Sequence, residues 1–317
     1  MPREQDLLYD RGWHPTAVLG AIAAAAAAAR LHGLDPQQTA VALAIAASKS
    51  SGLEINFGTM TKPYHAGLAA RSGVEAARLA AAGFTASANA LEAERGFLAA
   101  LSPRGCVDRD RVAQLEGAWR ITKHGVNIKK FPVCYSGHRS IDAALALRQQ
   151  HGFAAADVAR VELELGRPQL ELLRQHRPRT ALEAKFSAEF AVASALEAGQ
   201  VGLAEVADDY VNRPEVQQLI ERVHITPVDE IDPAYAAFSV YDRITVELKD
   251  GRRLTGEPVT KARGHFSRPL TDDDVTLKFR QCLAYASSPL DAEATLGLLR
   301  RLETLEAGWS LALSRSA

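Results

Sequence analysis

A lysine and a proline stand side by side in residues 56–67, NFGTMTKPYHAG. Proline is favoured at the first position of an α-helix, so Pro63 predicts a helix start with Lys62 as its N-cap. The free backbone N–H groups and the positive end of the helix would then lie beside the Lys62 ammonium group. This arrangement predicts an anion site. A Lys-Pro pair that only begins a helix in a loop is the alternative.

A second pair of the same kind is His14-Pro15. Pro15 predicts another helix start and leaves His14 at the cap, where two such helix ends could converge on one carboxylate. His65 follows Lys62 by three residues and falls on about the same side of the helix. Packing in the core or solvation is the alternative role of a single histidine.

A third cluster, KKFPVCYSGH at residues 129–138, combines two lysines, a thiol and a histidine. It lies at the junction between the predicted helical segment and the predicted α+β segment. Clefts between domains often hold binding or active sites. On composition alone, Cys134 is a small buried hydrophobic residue. The sequence has no metal-ligand spacing, GxGxxG, P-loop or GxSxG elbow, so we predict no metal and no cofactor.

The elements that position these residues change character along the chain. Helices are predicted at residues 16–31, 36–47 and 63–83, and the many Ala and Gly residues would let their axes approach closely. Asp35-Pro36-Gln37-Gln38 is a capping-box start for the second helix. After residue 131, period-two alternation predicts strands at 158–165, 223–226 and 244–248, with Asp250-Gly251 turning into a strand at 253–259.

Further helices are predicted at 141–151, 182–198, 203–211, 214–222, 272–286 and 291–305. The fold class is therefore mainly α with an α+β lid, a large helical domain interrupted by a smaller α+β domain. The predicted boundaries are 1–128 for the first helical part, 129–261 for the lid and 262–317 for the C-terminal helical part.

Composition limits the partners. The 317 residues contain 37 Lys and Arg against 38 Asp and Glu, a net charge of −1, which disfavours nucleic acid. Cys106, Cys134 and Cys282 are widely spaced, which indicates a reducing cytoplasm rather than a disulfide framework. Residues 21–29 lack the features of a signal peptide or a membrane span. We therefore expect a cytoplasmic protein with no nucleic acid or membrane partner.

Three groups of motifs resemble the MmgE/PrpD family. The central group is GWHPT at 12–16, SG at 51–52, FGTMTKPYHAG at 57–67 and AARSG at 69–73; the others are KKFPVC at 129–134 with His138, and PL at 269–270 with KFR at 278–280. The resemblance implies a helical domain with an α+β lid, a site in the cleft between them, and a homodimer. It also implies metal-independent chemistry on di- or tricarboxylates, as in 2-methylcitrate dehydratase, cis-aconitate decarboxylase and iminodisuccinate epimerase.

By this resemblance, Lys62 and His14 are predicted catalytic residues, either one acting as base. Thr59, His65, Lys129, Cys134 and His138 are predicted to bind substrate, Cys134 standing where some members carry a histidine. The predicted activity is proton abstraction next to a carboxylate by a hydro-lyase or an epimerase.

Family members begin with a helical segment that has no counterpart before Arg11. The alternative prediction is therefore a non-catalytic or partner-dependent subunit, completed by a chain that supplies this segment. In either case we expect an exposed apolar surface around residues 21–29 and 41–47, covered by a partner or a second copy.

Overall fold

The structure is a computed structural model that describes residues 8–9, 11–102, 119, 121–122 and 125–304. The chain divides into two compact units, Met1–Gly117 and Ala118–Ala317, here called the N-terminal and C-terminal units. The further division at residues 129–261 and 262–317 stays a prediction. Cys106 and residue 305, the end of the last predicted helix, lie outside the described residues.

The described part of the N-terminal unit is helical. Its helices are α1 (Pro15–Leu31), α2 (Pro36–Ser48), α3 (Thr61–Ala81) and the short α4 (Phe97–Leu101), with a 3-10 turn at Glu54–Asn56. The fully buried members of its two core clusters are all alanines. A Cβ on Gly73 would lie 2.5 Å from Ala24 Cβ and from the Ala25 backbone nitrogen, so α1 and α3 can approach this closely only because Gly73 has no side chain.

Of the three helix starts predicted from a proline or a capping box in the N-terminal unit, two are confirmed. His14 is the N-cap of α1, with Pro15 at its first position. Asp35 caps α2 through a capping box, accepting from the Gln38 N–H at 2.8 Å. The prediction that Lys62 is the N-cap of the third helix is wrong, because α3 already begins at Thr61 with Met60 as N-cap. Pro63 fits inside the first turn because N–H groups there have no carbonyl partner within the helix.

The C-terminal unit combines helices with a small mixed sheet. Its helices are α5 (His138–His151), α6 (Arg167–Leu172), α7 (Ala181–Ala184), α8 (Ala188–Ala198), α9 (Asp208–Val211), α10 (Pro214–Arg222), α11 (Asp272–Tyr285) and α12 (Ala292–Leu299). Its strands are β1 (Val158–Gly166), β2 (Val223–Val228), β3 (Ile231–Asp232), β4 (Tyr235–Ser239), β5 (Arg243–Leu248) and β6 (Arg253–Thr255). Short 3-10 turns occur at Tyr135–Gly137, Ala155–Asp157 and Leu302–Thr304.

The main sheet has the order β2-β1-β5-β6, and β3 and β4 form a separate pair. Strand β1 runs parallel to β2 and antiparallel to β5, with Leu163 opposite Ile225 and Ile244. Val161, Leu163 and Leu165 are fully buried, as the period-two pattern predicts. They join one large core with α5, α8 and α10, in which Phe, Leu, Ile and Val side chains pack together with several alanines. A mainly α chain with some β structure is confirmed.

Four predicted elements differ from the structure. The helix predicted at 291–305 ends at Leu299 and is followed by the 3-10 turn at Leu302–Thr304. The helix predicted at 182–198 is split into α7 and α8, because Ser187 is extended and its hydroxyl caps α8 by accepting from the Phe190 N–H at 3.0 Å. The helix predicted at 203–211 contains only Asp208–Val211. The strand predicted at 253–259 ends at Thr255, and Val259 forms an isolated bridge with Asp242.

Across the described residues, no helix combines the length and the apolar character needed to span a membrane.

Candidate functional site

Two strand-like segments of the N-terminal unit bring His14 to the loop that precedes α3. The Glu54 N–H donates to the Gly12 carbonyl at 2.9 Å, and the His14 N–H donates to the Gly52 carbonyl at 3.0 Å. Trp13 and Leu53 form a bridge between these bonds. The His14 side chain is only 4% exposed. These backbone bonds therefore fix the start of α1 against the segment that leads into α3.

His65, on the first turns of α3, meets His14 directly. The two Nδ1 atoms are 3.1 Å apart, and His65 is 5% exposed. Gly52 makes room for this contact, since its φ is +127° and a Cβ there would lie 2.5 Å from Ala17 Cβ and 3.4 Å from the His65 ring. Residues 12–16, 51–52 and 57–67, separate in sequence, thus form one cluster.

Phe57 contacts two members of this cluster. Lys62 Nζ lies 4.8 Å from the centre of the Phe57 ring, and the His14 ring packs edge-on against the same ring at 4.9 Å. A cation over an aromatic face is attracted by the ring quadrupole. Phe57 was not among the predicted site residues, although it stands in the central motif, five residues before Lys62.

Burial and charge keep both histidines neutral near pH 7. Burial, followed by the Lys62 charge and then His65, lowers the pKa of His14 to about 4. Burial and the Lys62 charge also lower the pKa of His65. The cluster therefore presents neutral imidazoles, which can accept a proton, beside a lysine in the first turn of a helix.

Thr59, a predicted substrate-binding residue, is exposed and engaged with the backbone. Its hydroxyl donates to the Asn56 carbonyl at 2.8 Å and accepts from the Thr61 N–H at 3.2 Å. These bonds shape the turn that begins α3. A contact between Thr59 and substrate stays a prediction.

The C-terminal unit holds the other three predicted residues. Lys129 Nζ donates to the Val133 carbonyl at 3.1 Å, and the Cys134 N–H donates to the Lys185 carbonyl at 2.8 Å. Cys134 is a partly buried free thiol that packs against the main core, as its composition-based interpretation suggested. The break between α7 and α8, which the sequence analysis missed, therefore helps to position Cys134.

His138 begins α5 and is fully buried. Its ring lies 5.2 Å from Phe131 and 4.9 Å from Tyr135, measured between ring centres. Among the described residues, neither ring nitrogen has a hydrogen bond of good geometry. Burial, with the Lys129 charge, lowers the pKa of His138 to about 3, and the nearby Val133 and Phe131 carbonyls oppose this only in part.

Two ion-pair networks fasten the segment around His138. Lys130 Nζ lies 2.8 Å from Asp274, which also accepts from Arg263 at 2.7 Å. The buried Arg139 pairs with Asp242 at 2.5 Å, and Gln169 bonds to the same carboxylate. None of these partners was predicted as a site residue. Asp274 and Asp242 each lie more than 100 positions from the basic residue that they bind.

The seven predicted residues thus form two groups, His14, Thr59, Lys62 and His65 in one unit and Lys129, Cys134 and His138 in the other. Their convergence on one cleft stays a prediction. Within the described ranges, no group of three or more His, Cys, Asp or Glu side chains could hold a metal ion.

Comparison with known proteins identifies the family. The MmgE/PrpD N-terminal domain matches residues 4–109, and the MmgE/PrpD C-terminal domain matches residues 131–304. The chain therefore belongs to the MmgE/PrpD family.

Its curated relatives include three cis-aconitate decarboxylases. The Homo sapiens protein is 30% identical over 300 residues, covering 93% of this chain and 61% of the relative. The Mus musculus protein is 30% identical over 303 residues, covering 93% and 59%. The Aspergillus terreus protein (strain NIH 2624 / FGSC A1156) is 28% identical over 290 residues, covering 86% and 58%. The chain spans about three-fifths of the length of these relatives.

Proposed function

We propose that this protein is a cofactor-independent lyase or isomerase that removes a proton from the carbon next to a carboxylate in a di- or tricarboxylate. The observation that carries the proposal is the cluster of His14, His65 and Lys62. The carbanion formed, an aci-carboxylate, is very costly in water. Preorganised positive groups in a site that excludes water lower this cost.

The cluster supports distinct roles for its members. His14 is the base, because its lowered pKa leaves it neutral and able to accept a proton near pH 7. Lys62 binds the carboxylate on which negative charge develops, because its ammonium group stands in the first turn of α3, at the positive end of the helix. Thr59, Lys129, Cys134 and His138 are proposed to contact the remaining substrate groups.

The carbanion formed by proton removal leads to two kinds of product, and a second candidate reaction forms its carbanion by loss of carbon dioxide instead. In the hydro-lyase reaction, the hydroxyl on the neighbouring carbon departs as water after Lys62 gives it a proton. In an epimerase, Lys62 gives a proton to the opposite face of the carbon. The relatives' names favour a second candidate, decarboxylation, in which carbon dioxide leaves a tricarboxylate and the carbanion left behind takes up a proton.

Turnover of a carboxylate panel tests the proposal. The purified chain is incubated with 2-methylcitrate, cis-aconitate and iminodisuccinate, and products are followed by NMR. For an active substrate, we expect K62M and H14N to lower kcat/KM by about 10²–10³-fold, because each removes a group that acts in the transition state. K49M is the matched control, since Lys49 pairs with Glu75 away from the cluster. If the chain turns over none of the three substrates, the proposal is contradicted.

The proposed assembly is a homodimer. In the N-terminal unit, Ala23, Ala26 and Ala27 are exposed on α1, and Leu19 is 37% exposed. The prediction of exposed surface at residues 41–47 is wrong, because that segment is buried or half-buried. Exposed apolar surface such as that on α1 favours association. Light scattering on the purified chain tests this, and a stable monomer contradicts it. A cytoplasmic location also stays a prediction.

A further inference from the structure

The contact between the His14 and His65 rings constrains where each ring carries its proton. The two Nδ1 atoms are 3.1 Å apart, and both side chains are buried. A neutral imidazole carries one proton, on Nδ1 or on Nε2. A hydrogen bond between two Nδ1 atoms therefore requires one ring protonated at Nδ1 and one ring with a bare Nδ1. The two histidines must hold opposite tautomers.

Only one of the two arrangements leaves His14 able to act as a base through Nε2. If His14 carries its proton on Nδ1, its Nε2 has a free lone pair, and His65 carries its proton on Nε2. In the reverse arrangement, His14 Nε2 is already protonated and cannot take a proton. The partner ring therefore decides which nitrogen of His14 is available.

We propose that His65 is a positioning residue, which accepts a hydrogen bond from the His14 Nδ1–H and holds His14 in the tautomer with a bare Nε2. This inference rests on the proposed function. In the reaction, the substrate proton passes to His14 Nε2, while the electrons of the C–H bond stay on carbon and delocalise into the carboxylate. His14 becomes an imidazolium, and its bond to His65 becomes charge-assisted and stronger. His65 itself neither gains nor loses a proton.

The surrounding backbone holds this geometry. His14 is fixed by its N–H bond to the Gly52 carbonyl, and His65 by its place in α3. Gly52 lies against the His65 ring, where a Cβ would come within 3.4 Å of its Cγ and Nδ1. Because His65 is only 5% exposed, the packing around its ring limits its freedom to turn away from His14.

Two variants of His65 separate the hydrogen bond from simple packing. In H65N, the side-chain amide oxygen stands near the position of Nδ1 and can still accept the bond, whereas the leucine of H65L fills the space without an acceptor. H32N is the matched control, because it removes an exposed histidine of the same unit. Nitrogen-15 NMR of histidine-labelled protein reports the tautomer of each ring, and H14N assigns the His14 signals.

We expect His14 to be protonated on Nδ1 in the wild-type chain, H32N and H65N, and mainly on Nε2 in H65L. With an active substrate, H65L should lower kcat by about 10²-fold while KM changes less than about threefold, and H65N should recover most of the loss. A purely structural role of His65 would not produce this difference between kcat and KM.

Two results would overturn the inference: a wild-type His14 protonated on Nε2, or an H65L variant with unchanged kcat. The wild-type spectrum decides the tautomer even where a variant fails to fold. Failure of the proposed function is a separate result, since a chain that converts none of the carboxylates still gives a tautomer for His14. Conversely, an active enzyme whose His14 is protonated on Nε2 would support the proposed function and contradict the proposed role of His65.

Discussion

The cores of the two units are formed by side chains of different size. In the N-terminal unit, the buried cluster residues are alanines, and glycine lets α1 and α3 come close. In the C-terminal unit, the core is built from large side chains such as Phe190, Leu163 and Ile244. The first core depends on small side chains that let helices approach closely, and the second depends on large side chains that fill the space between elements. Truncation of a buried side chain should therefore cost more stability in the C-terminal unit, and enlargement should destabilise the N-terminal unit.

Their buried histidines differ in a related way. His14 has a ring partner in His65, whereas His138 sits among Phe131 and Tyr135 with neither ring nitrogen in a hydrogen bond of good geometry among the described residues. A partner fixes a tautomer, which a base needs. This contrast is why we assign proton transfer to His14 and only binding to His138.

Truncation of the large core should have the greatest effect on stability. We expect L163A to lower the free energy of unfolding of the C-terminal unit by about 2–5 kcal/mol, through lost burial and the cavity left behind. A76G, at a fully buried position of the N-terminal unit, should cost only about 1 kcal/mol. Denaturant unfolding, with hydrogen exchange to assign each transition, measures both. Equal losses would contradict the contrast between the cores.

Acidification should destabilise the chain through its buried histidines. The folded pKa is about 4 for His14 and about 3 for His138, below the unfolded value of 6.5, so the unfolded chain binds more protons as the pH falls below 6.5. Protonation of each of these histidines in the unfolded chain should lower the free energy of unfolding by about 2 kcal/mol between pH 7 and pH 5.

H138F, which cannot be protonated, should lose correspondingly less stability over this interval, and denaturant midpoints at the two pH values measure it. Unchanged pH dependence in H138F would show that His138 is already charged in the folded chain or remains solvated.

Enlargement should harm the N-terminal unit. In G73A, the new Cβ meets the Ala24 side chain and the Ala25 backbone, so α1 and α3 must separate, at a cost of about 1–3 kcal/mol. G67A is the matched control on the same helix, because a Cβ there has open space. It should stabilise α3 by about 0.5–1 kcal/mol. Thermal unfolding of the two variants compares them, and the same sign for both would be evidence against the close approach of α1 and α3.

The smallest expected effect is the loss of stability when a helix-capping residue is removed. This loss should be similar in the two units. Asp35 caps α2 and Thr271 caps α11, each through a capping box. Because a cap acts locally, D35A and T271A should each cost about 1 kcal/mol whatever core lies below the helix. Hydrogen exchange in the first turn of each helix measures this. A much larger loss in one unit would mean that its capping residue has a tertiary role as well.

The features that could be predicted from the sequence are those set by neighbouring residues, namely helix caps and strands. His14 and Asp35 could be predicted as caps, because a proline or a capping box fixes a helix start within four residues. The strands around Leu163 and Ile244 followed from alternation. The start of α3 was misplaced, because Pro63 is accepted anywhere in a first turn.

Contacts between distant residues were not predictable in this way. The His14–His65 bond depends on the path of the loop through Gly52, and Asp274 reaches Lys130 across 144 positions. The motif resemblance brought His14, His65 and Lys62 to attention, but only the structure shows that two of them share a hydrogen bond. The break at Ser187 was hidden because residues 182–198 read as one continuous helix by composition.

Deuterium incorporation tests the central claim, that this chain forms a carbanion next to a carboxylate with His14 as base. The purified protein is incubated in D2O with each carboxylate of the panel, and the recovered substrate and product are examined by NMR. We predict deuterium at the carbon next to a carboxylate for at least one compound, with the rate reduced about 10²-fold or more in H14N and K62M and unchanged in K49M. Incorporation at the wild-type rate in H14N, or none with any compound, would contradict the claim.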